Sequence, residues 1–229
     1  MKLLIFGPPG SGKGTYSTRV AAALKIPRIV MSDLLREESK KGSQLGKLIA
    51  IYMDKGQFAP DDAAIKLFKE RLKKPDVKKG FISDGFPRNV AQAKEFDITN
   101  KFDAVIGILA AKEILIEKIT ARRICSNSQC DGNFNIADIH KTIDGVEYIL
   151  PPLLPKKKGI CDKCGSKLFQ RKDDMIEVIG PRLEVFEEQT KPLYDYYEGK
   201  VPFIKIYMNR APEIIVANIL EEIKKLKLS

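Results

Sequence analysis

A short apolar run, Lys2-Leu-Leu-Ile-Phe6, breaks directly into Gly7-Pro-Pro-Gly-Ser-Gly-Lys-Gly-Thr15, and no other stretch constrains the chain so tightly. A run that is apolar throughout, instead of alternating, predicts a strand covered on both faces, the habit of a parallel sheet in an α/β fold. The glycines let the backbone curl until successive N–H groups converge into an anion-binding nest. A helix predicted from about Lys13 turns its N-terminal dipole toward the same anion. Lys13 adds a full charge on a side chain long enough to reach outer phosphates. Gly7-x4-Gly12-Lys13 matches most of the phosphate-binding loop pattern, but the lysine is followed by Gly14, with Thr15 one step later. Magnesium accompanying the phosphates is therefore expected to be held more through water and carboxylates than by the loop itself. An ordinary strand-to-helix turn is the competing reading; the lysine in register behind an apolar strand favours phosphate.

A chain of 229 residues has room for one domain with inserts or for two small domains. No segment approaches the roughly 20 apolar residues of a membrane span, and the first apolar run is too short for a signal peptide. A soluble, cytoplasmic protein without a membrane partner is expected. The net charge of +10 suits a polyanionic ligand, although a solvated lysine-rich surface accounts for most of it. One histidine, His140, argues against histidine catalysis.

Strands and helices alternate along the chain. Ile26-Pro-Arg-Ile-Val30 reads as a second strand, and Met31-Ser-Asp-Leu-Leu-Arg36 as a helix start with Ser32 or Asp33 as N-cap. Arg36 projects from the first turns of that helix. Gly42 and Gly56 bracket another helical segment, and Gly56-Gln-Phe-Ala-Pro-Asp61 leads into a helix with proline near its start. Residues 30–59 thus form a small helical insert. In Gly80-Phe-Ile-Ser-Asp-Gly-Phe-Pro-Arg-Asn89, Asp84 falls where a buried strand ends. Ligands of open α/β sheets gather beyond the carboxyl ends of strands, which brings Asp84 and Arg88 toward the glycine loop. A plain Asp-Gly turn and a surface arginine are the bland readings.

The four cysteines fall into two pairs, Cys125-x4-Cys130 and Cys161-x2-Cys164. Both spacings suit structural zinc, and Cys161-Asp-Lys-Cys-Gly165 has the tight turn of a thiolate knuckle. Disulfides, disfavoured in an intracellular chain, and free buried thiols are the alternatives. Four protein thiolates leave no open position, so zinc here is structural. Asp131, Asp162 and His140 lie near enough in sequence to substitute.

Taken together, Gly7 to Thr15, Asp33-Leu-Leu-Arg36, Asp84-Gly-Phe-Pro-Arg88 with Gln92, Arg122-Arg123, Gln170-Arg-Lys-Asp-Asp174 and Arg182 resemble, in order and spacing, the adenylate kinase family of nucleoside monophosphate kinases, in its long form with a zinc-bearing lid. The resemblance runs from Met1 to the last helix. It implies an α/β phosphate-loop kinase fold: a five-stranded parallel sheet flanked by helices, with strands near 2–6, 27–30, 81–84, 104–109 and 202–208. It implies a discontinuous core of residues 1–29, 60–122 and 172–229, a monophosphate-binding insert of 30–59, and a lid of 123–171. Lid closure that excludes water is a known property of this family.

The implied reaction is reversible, magnesium-dependent phosphoryl transfer from ATP to AMP, giving two ADP. The attacking phosphate oxygen is already ionised, so no general base is needed. Two polyanions must instead be brought together and held in line by fixed cations. The resemblance assigns catalysis to Lys13, Arg36, Arg88, Arg122, Arg171 and Arg182. It assigns ATP binding to Gly10, Ser11, Gly12, Lys13, Gly14, Thr15, Arg122, Asn133, Phe134 and Arg210. AMP binding falls to Met31, Ser32, Arg36, Gln57, Phe58, Ala59, Gly85, Phe86, Pro87, Arg88, Gln92, Arg171 and Arg182. Asp33 and Asp84 orient water on magnesium, and Cys125, Cys130, Cys161 and Cys164 hold zinc. Asp173 and Asp174 read as a hinge or ion-pair feature, or as helix N-terminal acids; Arg123 reads equally well as a surface arginine.

The chain departs from the family in four places. Met31 replaces a usual threonine, Phe58-Ala59 a more aliphatic pair, and Lys118 an arginine that packs on the donor base. The knuckles are also separated by extra sequence within residues 135–155, including a hairpin signal at Asp144-Gly145. AMP remains the expected acceptor, with UMP, CMP or GMP as alternatives. A zinc-ribbon nucleic-acid module is the reading from another class, disfavoured because no aromatic-basic stretch offers a stacking platform. Every required arginine lies in one chain, which predicts a monomer.

Overall fold

The computed structural model describes residues 1–54 and 57–226. The first half runs β1 (Lys2–Phe6), α1 (Lys13–Leu24), β2 (Arg28–Val30), α2 (Met31–Ser39), α3 (Gln44–Asp54), α4 (Asp61–Leu72), β3 (Phe81–Asp84), α5 (Val90–Asp97), β4 (Ala104–Leu109) and α6 (Lys112–Thr120). Short strands follow: β5 (Arg122–Cys125), β6 (Asn133–Asn135), β7 (Ile139–Ile143), β8 (Val146–Leu150) and β9 (Leu168–Phe169). The chain closes with α7 (Ile176–Val185), α8 (Leu193–Tyr197), β10 (Phe203–Tyr207) and α9 (Pro212–Lys225).

Five strands form one parallel sheet in the order β10-β4-β1-β3-β2. Alternate residues of β1 face opposite sides, and both sides are covered. Leu3 and Ile5 join Tyr16 and Val20 of α1, Ile114 of α6 and Ile219 of α9; Leu4 and Phe6 join Phe68 of α4, Phe96 of α5 and Leu193 of α8. This double burial is why β1 is apolar throughout. The second face is aromatic: Phe68 stacks on Phe86 at 4.3 Å between centroids and Phe96 on Phe102 at 4.6 Å. The expected α/β architecture and its five parallel strands are present.

Two local expectations need correction. The second strand begins at Arg28, because Lys25 takes a left-handed C-cap (φ 54°) and the Ile26 N–H donates to the Ala21 carbonyl, which spends Ile26 on the end of α1. Helix α2 starts at Met31 with Val30 in the N-cap position and no side-chain cap. Ser32 and Asp33 therefore lie inside the first turn. Proline does stand at the start of α4, with Pro60 in its N-cap position. The proposed helix bracket at Gly56 lies outside the described residues.

Strands β5, β6 and β9 form a small antiparallel sheet, and β7 with β8 a separate hairpin. The hairpin turn is Asp144-Gly145, with φ of 50° and 76°, the paired positive values that a two-residue turn of matching twist requires. This hairpin packs on the core. Ile139, Tyr148 and Leu150 are at most 3% exposed and belong to the same apolar cluster as Leu3 and Ile5. Each such side chain contributes about 1.5–3 kcal/mol on burial.

Candidate active site

The carboxyl ends of the sheet strands converge on the glycine loop. Gly12 has φ of 79°, and at Gly10 a Cβ would come within 2.4 Å of Ile119 Cγ1, so the loop's curl and its fit against α6 both demand glycine. Ser11 is fully buried beneath the loop, and its hydroxyl has no hydrogen-bond partner among the described residues. A cavity of about 310 Å³ opens above the loop. Lys13 lies in its wall with the ammonium donating to the Gly7 and Pro8 carbonyls at 2.6 and 2.7 Å. Asp84, at the end of β3, faces the same space and accepts from the Ser17 hydroxyl at 2.7 Å.

The arginines around this cavity are held in place by acids. Arg122 Nε donates to Asp174 at 2.8 Å, and a second bond from its guanidinium makes the pair bidentate. Asp174 is fully buried. Arg182 lies 3.7 Å from Asp174 and 3.5 Å from Asp173, and Arg171 pairs with Asp173 at 2.5 Å. Asp173 and Asp174 are thus the ion-pair feature among the sequence readings. Burial lowers the Lys13 pKa to about 8; Asp84 opposes the shift, and Arg88, Arg182 and Arg122 add to it. Burial also brings Arg88 down to about 10, with Asp84 opposing and Arg182 adding, and it lowers Arg182. Positive charges crowded at partial burial, with too few carboxylates to neutralise them, describe a site for a polyanion.

Of the expected triphosphate residues, Gly10, Gly12, Lys13, Gly14, Thr15, Arg122, Asn133, Phe134 and Arg210 all line the cavity, as do Arg171, Arg182, Ser32 and Lys118. The other residues expected for the monophosphate sit to the β3 and β2 side. Arg88 donates from Nε to the Gly85 carbonyl at 3.0 Å and lies over the Phe58 ring at 4.5 Å. Thr190 donates to the Arg88 carbonyl at 2.7 Å. Gln92 is 2% exposed; its amide accepts from the Arg88 N–H and donates to Asp61 at 2.7 Å, leaving one proton and one lone pair uncommitted. Phe86 and Met31 are buried in the aromatic cluster with Ala59, and the Phe86–Pro87 peptide is cis. Arg36 and Asp33 pair with each other on the exposed side of α2, and Arg36 reaches Ser32 at 3.3 Å. Arg123 bonds to the Thr120 and Arg122 carbonyls, away from the cavity lining.

The four cysteines come together. Their sulfurs all lie within 4.8 Å of one another, with Cys125 to Cys164 at 3.3 Å and Cys130 to Cys161 at 3.7 Å. Tetrahedral zinc with thiolate bonds near 2.3 Å needs sulfurs about 3.8 Å apart, whereas a disulfide needs about 2.05 Å. Gly132 fits against the cluster, since a Cβ there would stand 2.4 Å from Cys161 Sγ. The donor set and spacing fit a metal ion. Asp131 pairs with Lys163, Asp162 accepts from the Lys156 N–H, and His140 lies near Asp138, so these side chains have other partners.

Sequence reasoning missed several residues of the site. Arg28 of β2 lies 3.7 Å from Asp84 and 3.2 Å from the Gly14 carbonyl, and it lines the cavity. Only the neighbouring of β2 and β3 brings it there, and no spacing encodes that. Leu150, Pro151 and Leu153 supply an apolar wall from the extra sequence between the knuckles. Asp61, which receives the Asn89 and Gln92 amides, had only a helix-start signal.

The profile of the adenylate kinase family matches residues 5–201. A protein named adenylate kinase from Thermoanaerobacter sp. (strain X514) is 41% identical over 230 aligned residues, covering 98% of this chain and 97% of the relative. One of that name from Archaeoglobus fulgidus is 43% identical, covering 87% of each chain. A third, from Streptomyces coelicolor, is 37% identical over 98% of this chain and 99% of its own length.

Proposed function

Because the chain belongs to the adenylate kinase family, we propose a division of labour for its side chains in the reversible transfer of a phosphoryl group from ATP to AMP. It is a phosphotransferase, and its substrates are ATP, AMP and ADP. The observation that carries the residue assignments is that Lys13, Arg122, Arg171 and Arg182 line one cavity with Asp84, while Arg88 is held on the Gly85 carbonyl just past the end of β3. Gly10 to Thr15 cradle the triphosphate, with Ser11 buried beneath the loop, Lys13 on its phosphates, Asn133 and Phe134 above, and Arg210 at the nucleoside end. Arg36, Arg88 and Arg171 hold the monophosphate; Met31, Ser32, Gln57 to Ala59, Gly85 to Pro87 and Gln92 surround its nucleoside.

Arg122 and Arg182 face the phosphoryl group in flight. The buried carboxylate of Asp174 fixes both before substrate arrives, so little reorganisation accompanies the reaction. Arginine suits the task because its planar fork meets two phosphate oxygens at once. No side chain need remove a proton, and the rate comes from alignment and charge neutralisation. Magnesium bound with ATP would supply further neutralisation of phosphate charge. Asp84 would hold its water shell, since only one of its oxygens is engaged by Ser17 and Arg28. Asp33 would assist from α2 once Arg36 leaves it for the monophosphate.

Residues 1–29, 60–122 and 172–229 form the proposed core, 30–59 the acceptor insert and 123–171 the lid, whose four thiolates hold structural zinc. We place the enzyme in the cytoplasm as a monomer; among the described residues no helix is long and apolar enough to cross a membrane. The test is ADP formation from ATP with AMP, UMP, CMP and GMP, each with and without magnesium. AMP with magnesium should give the fastest turnover by a wide margin. Equal or faster turnover with UMP or CMP contradicts the acceptor assignment.

A further inference from the structure

The sequence between the two cysteine knuckles turns back onto the sheet. The Tyr148 hydroxyl accepts the Ala111 N–H at 3.0 Å, just past β4. The Ile149 N–H donates to the Asn209 carbonyl at 2.9 Å, just past β10. Arg210 donates to the Glu147 carbonyl and, at 2.6 Å, to its carboxylate. Lys141 reaches Glu117 of α6 at 2.5 Å. With Ile139, Tyr148 and Leu150 buried among core side chains, the hairpin is joined to the β4 and β10 edge by apolar contacts, backbone bonds and ion pairs together.

The chain leaving this hairpin then enters the cavity. Leu150, Pro151 and Leu153 line it with Ile119, Ala211 and Pro212. These residues stand at the ends of β10 and α6, on the far side of β1 from Arg88 and β3. An apolar slot rimmed by Lys118 and Arg210 suits the flat base and ribose of a nucleotide whose phosphates lie on the glycine loop.

Resting on the adenylate kinase reading, we propose that the hairpin Ile139–Leu150 is a fixed wall of the donor-nucleotide site: it stays docked on the sheet while the cysteine-bearing part of the lid moves, and it positions the nucleoside end of ATP through Leu150 and through the hold of Glu147 on Arg210. The wall exists before ATP arrives, so its contribution is to donor binding and not to the chemical step.

The test shortens the hairpin in the full chain, replacing residues 140–149 by Asn-Gly, a turn that the direct pairing of Ile139 with Leu150 permits. The KM for ATP should rise about tenfold, while kcat and the KM for AMP stay within about twofold, the pattern of lost uniform binding. Zinc content should not change. An unchanged KM for ATP, or an equal rise for AMP, overturns the proposal. Should the shortened chain not fold, amide exchange on the unaltered protein decides. The Ala111 and Ile149 amides should be protected equally with and without a non-hydrolysable ATP analogue; protection that arises only with the analogue overturns the proposal. Unaltered protein that makes no ADP from ATP and AMP contradicts the kinase reading instead, and the exchange result still stands by itself.

Discussion

Single side chains carry most of the chemistry, and they differ in how visible they are in sequence. Lys13, Asp84 and Arg88 are legible because each stands at or just past the end of a strand that runs into glycine, which locates them at the ligand edge of the sheet. Arg28 is not legible, since its place beside Asp84 depends on β2 lying next to β3. Replacing Arg182 or Arg88 by lysine removes a planar fork and leaves the charge. Each change should keep the melting profile and lower kcat by about two to three orders of magnitude, the scale of losing one aligned donor to a transition-state oxyanion; near-normal rates in folded protein contradict the assignment. Lys13 gives a pH signature. Its ammonium must be charged to meet phosphate, and its pKa is lowered to about 8. The charged form is therefore complete below that pH and lost as pH rises through it. The kcat/KM for ATP, which reports the free enzyme, should fall above pH of about 8 while Arg88 remains charged. A profile flat well beyond pH 9 contradicts the burial of Lys13.

At the scale of elements, regular features with local causes are the readable ones. The two cysteine knuckles and the Asp144-Gly145 turn follow from spacing and turn chemistry. The start of α2 does not: Ser32 and Asp33 look like caps, yet the helix begins one residue ahead of Ser32, where Val30 passes from strand to helix with no residue between. The docking of β7 and β8 is also hidden. His140, Lys141, Thr142 and Glu147 give the hairpin a polar composition, while Ile139, Tyr148 and Leu150 turn inward with Ile143 and Val146 packed beside them. The cysteine cluster yields a prediction at this scale. Elemental analysis should find about one zinc per chain, as a four-ligand site demands. Its removal by a chelator should lower Tm by roughly 5 °C or more, since metal bound only by the folded state stabilises it. Metal-free protein with four titratable thiols and the same Tm contradicts the site.

For the whole molecule, strand order decides the function. A parallel sheet with β1 at its centre places one set of strand ends, from β4 and β10, on one side of the glycine loop, and another, from β3 and β2, on the other. The α/β class was legible from the apolar runs of β1 and β3, each leading into glycine, and the five strand positions from the family resemblance; the order was not, because runs buried on both faces carry no record of their neighbours. That order gives the central claim: two nucleotides lie side by side, donor toward β10 and acceptor toward β3, with the cations of Lys13, Arg88, Arg122 and Arg182 between them. An analogue with two adenosines joined end to end by a chain of phosphates spans both places and tests this directly. It should bind once per chain and compete with ATP and with AMP alike. Competition against one nucleotide alone, with the KM of the other unchanged, would contradict the claim.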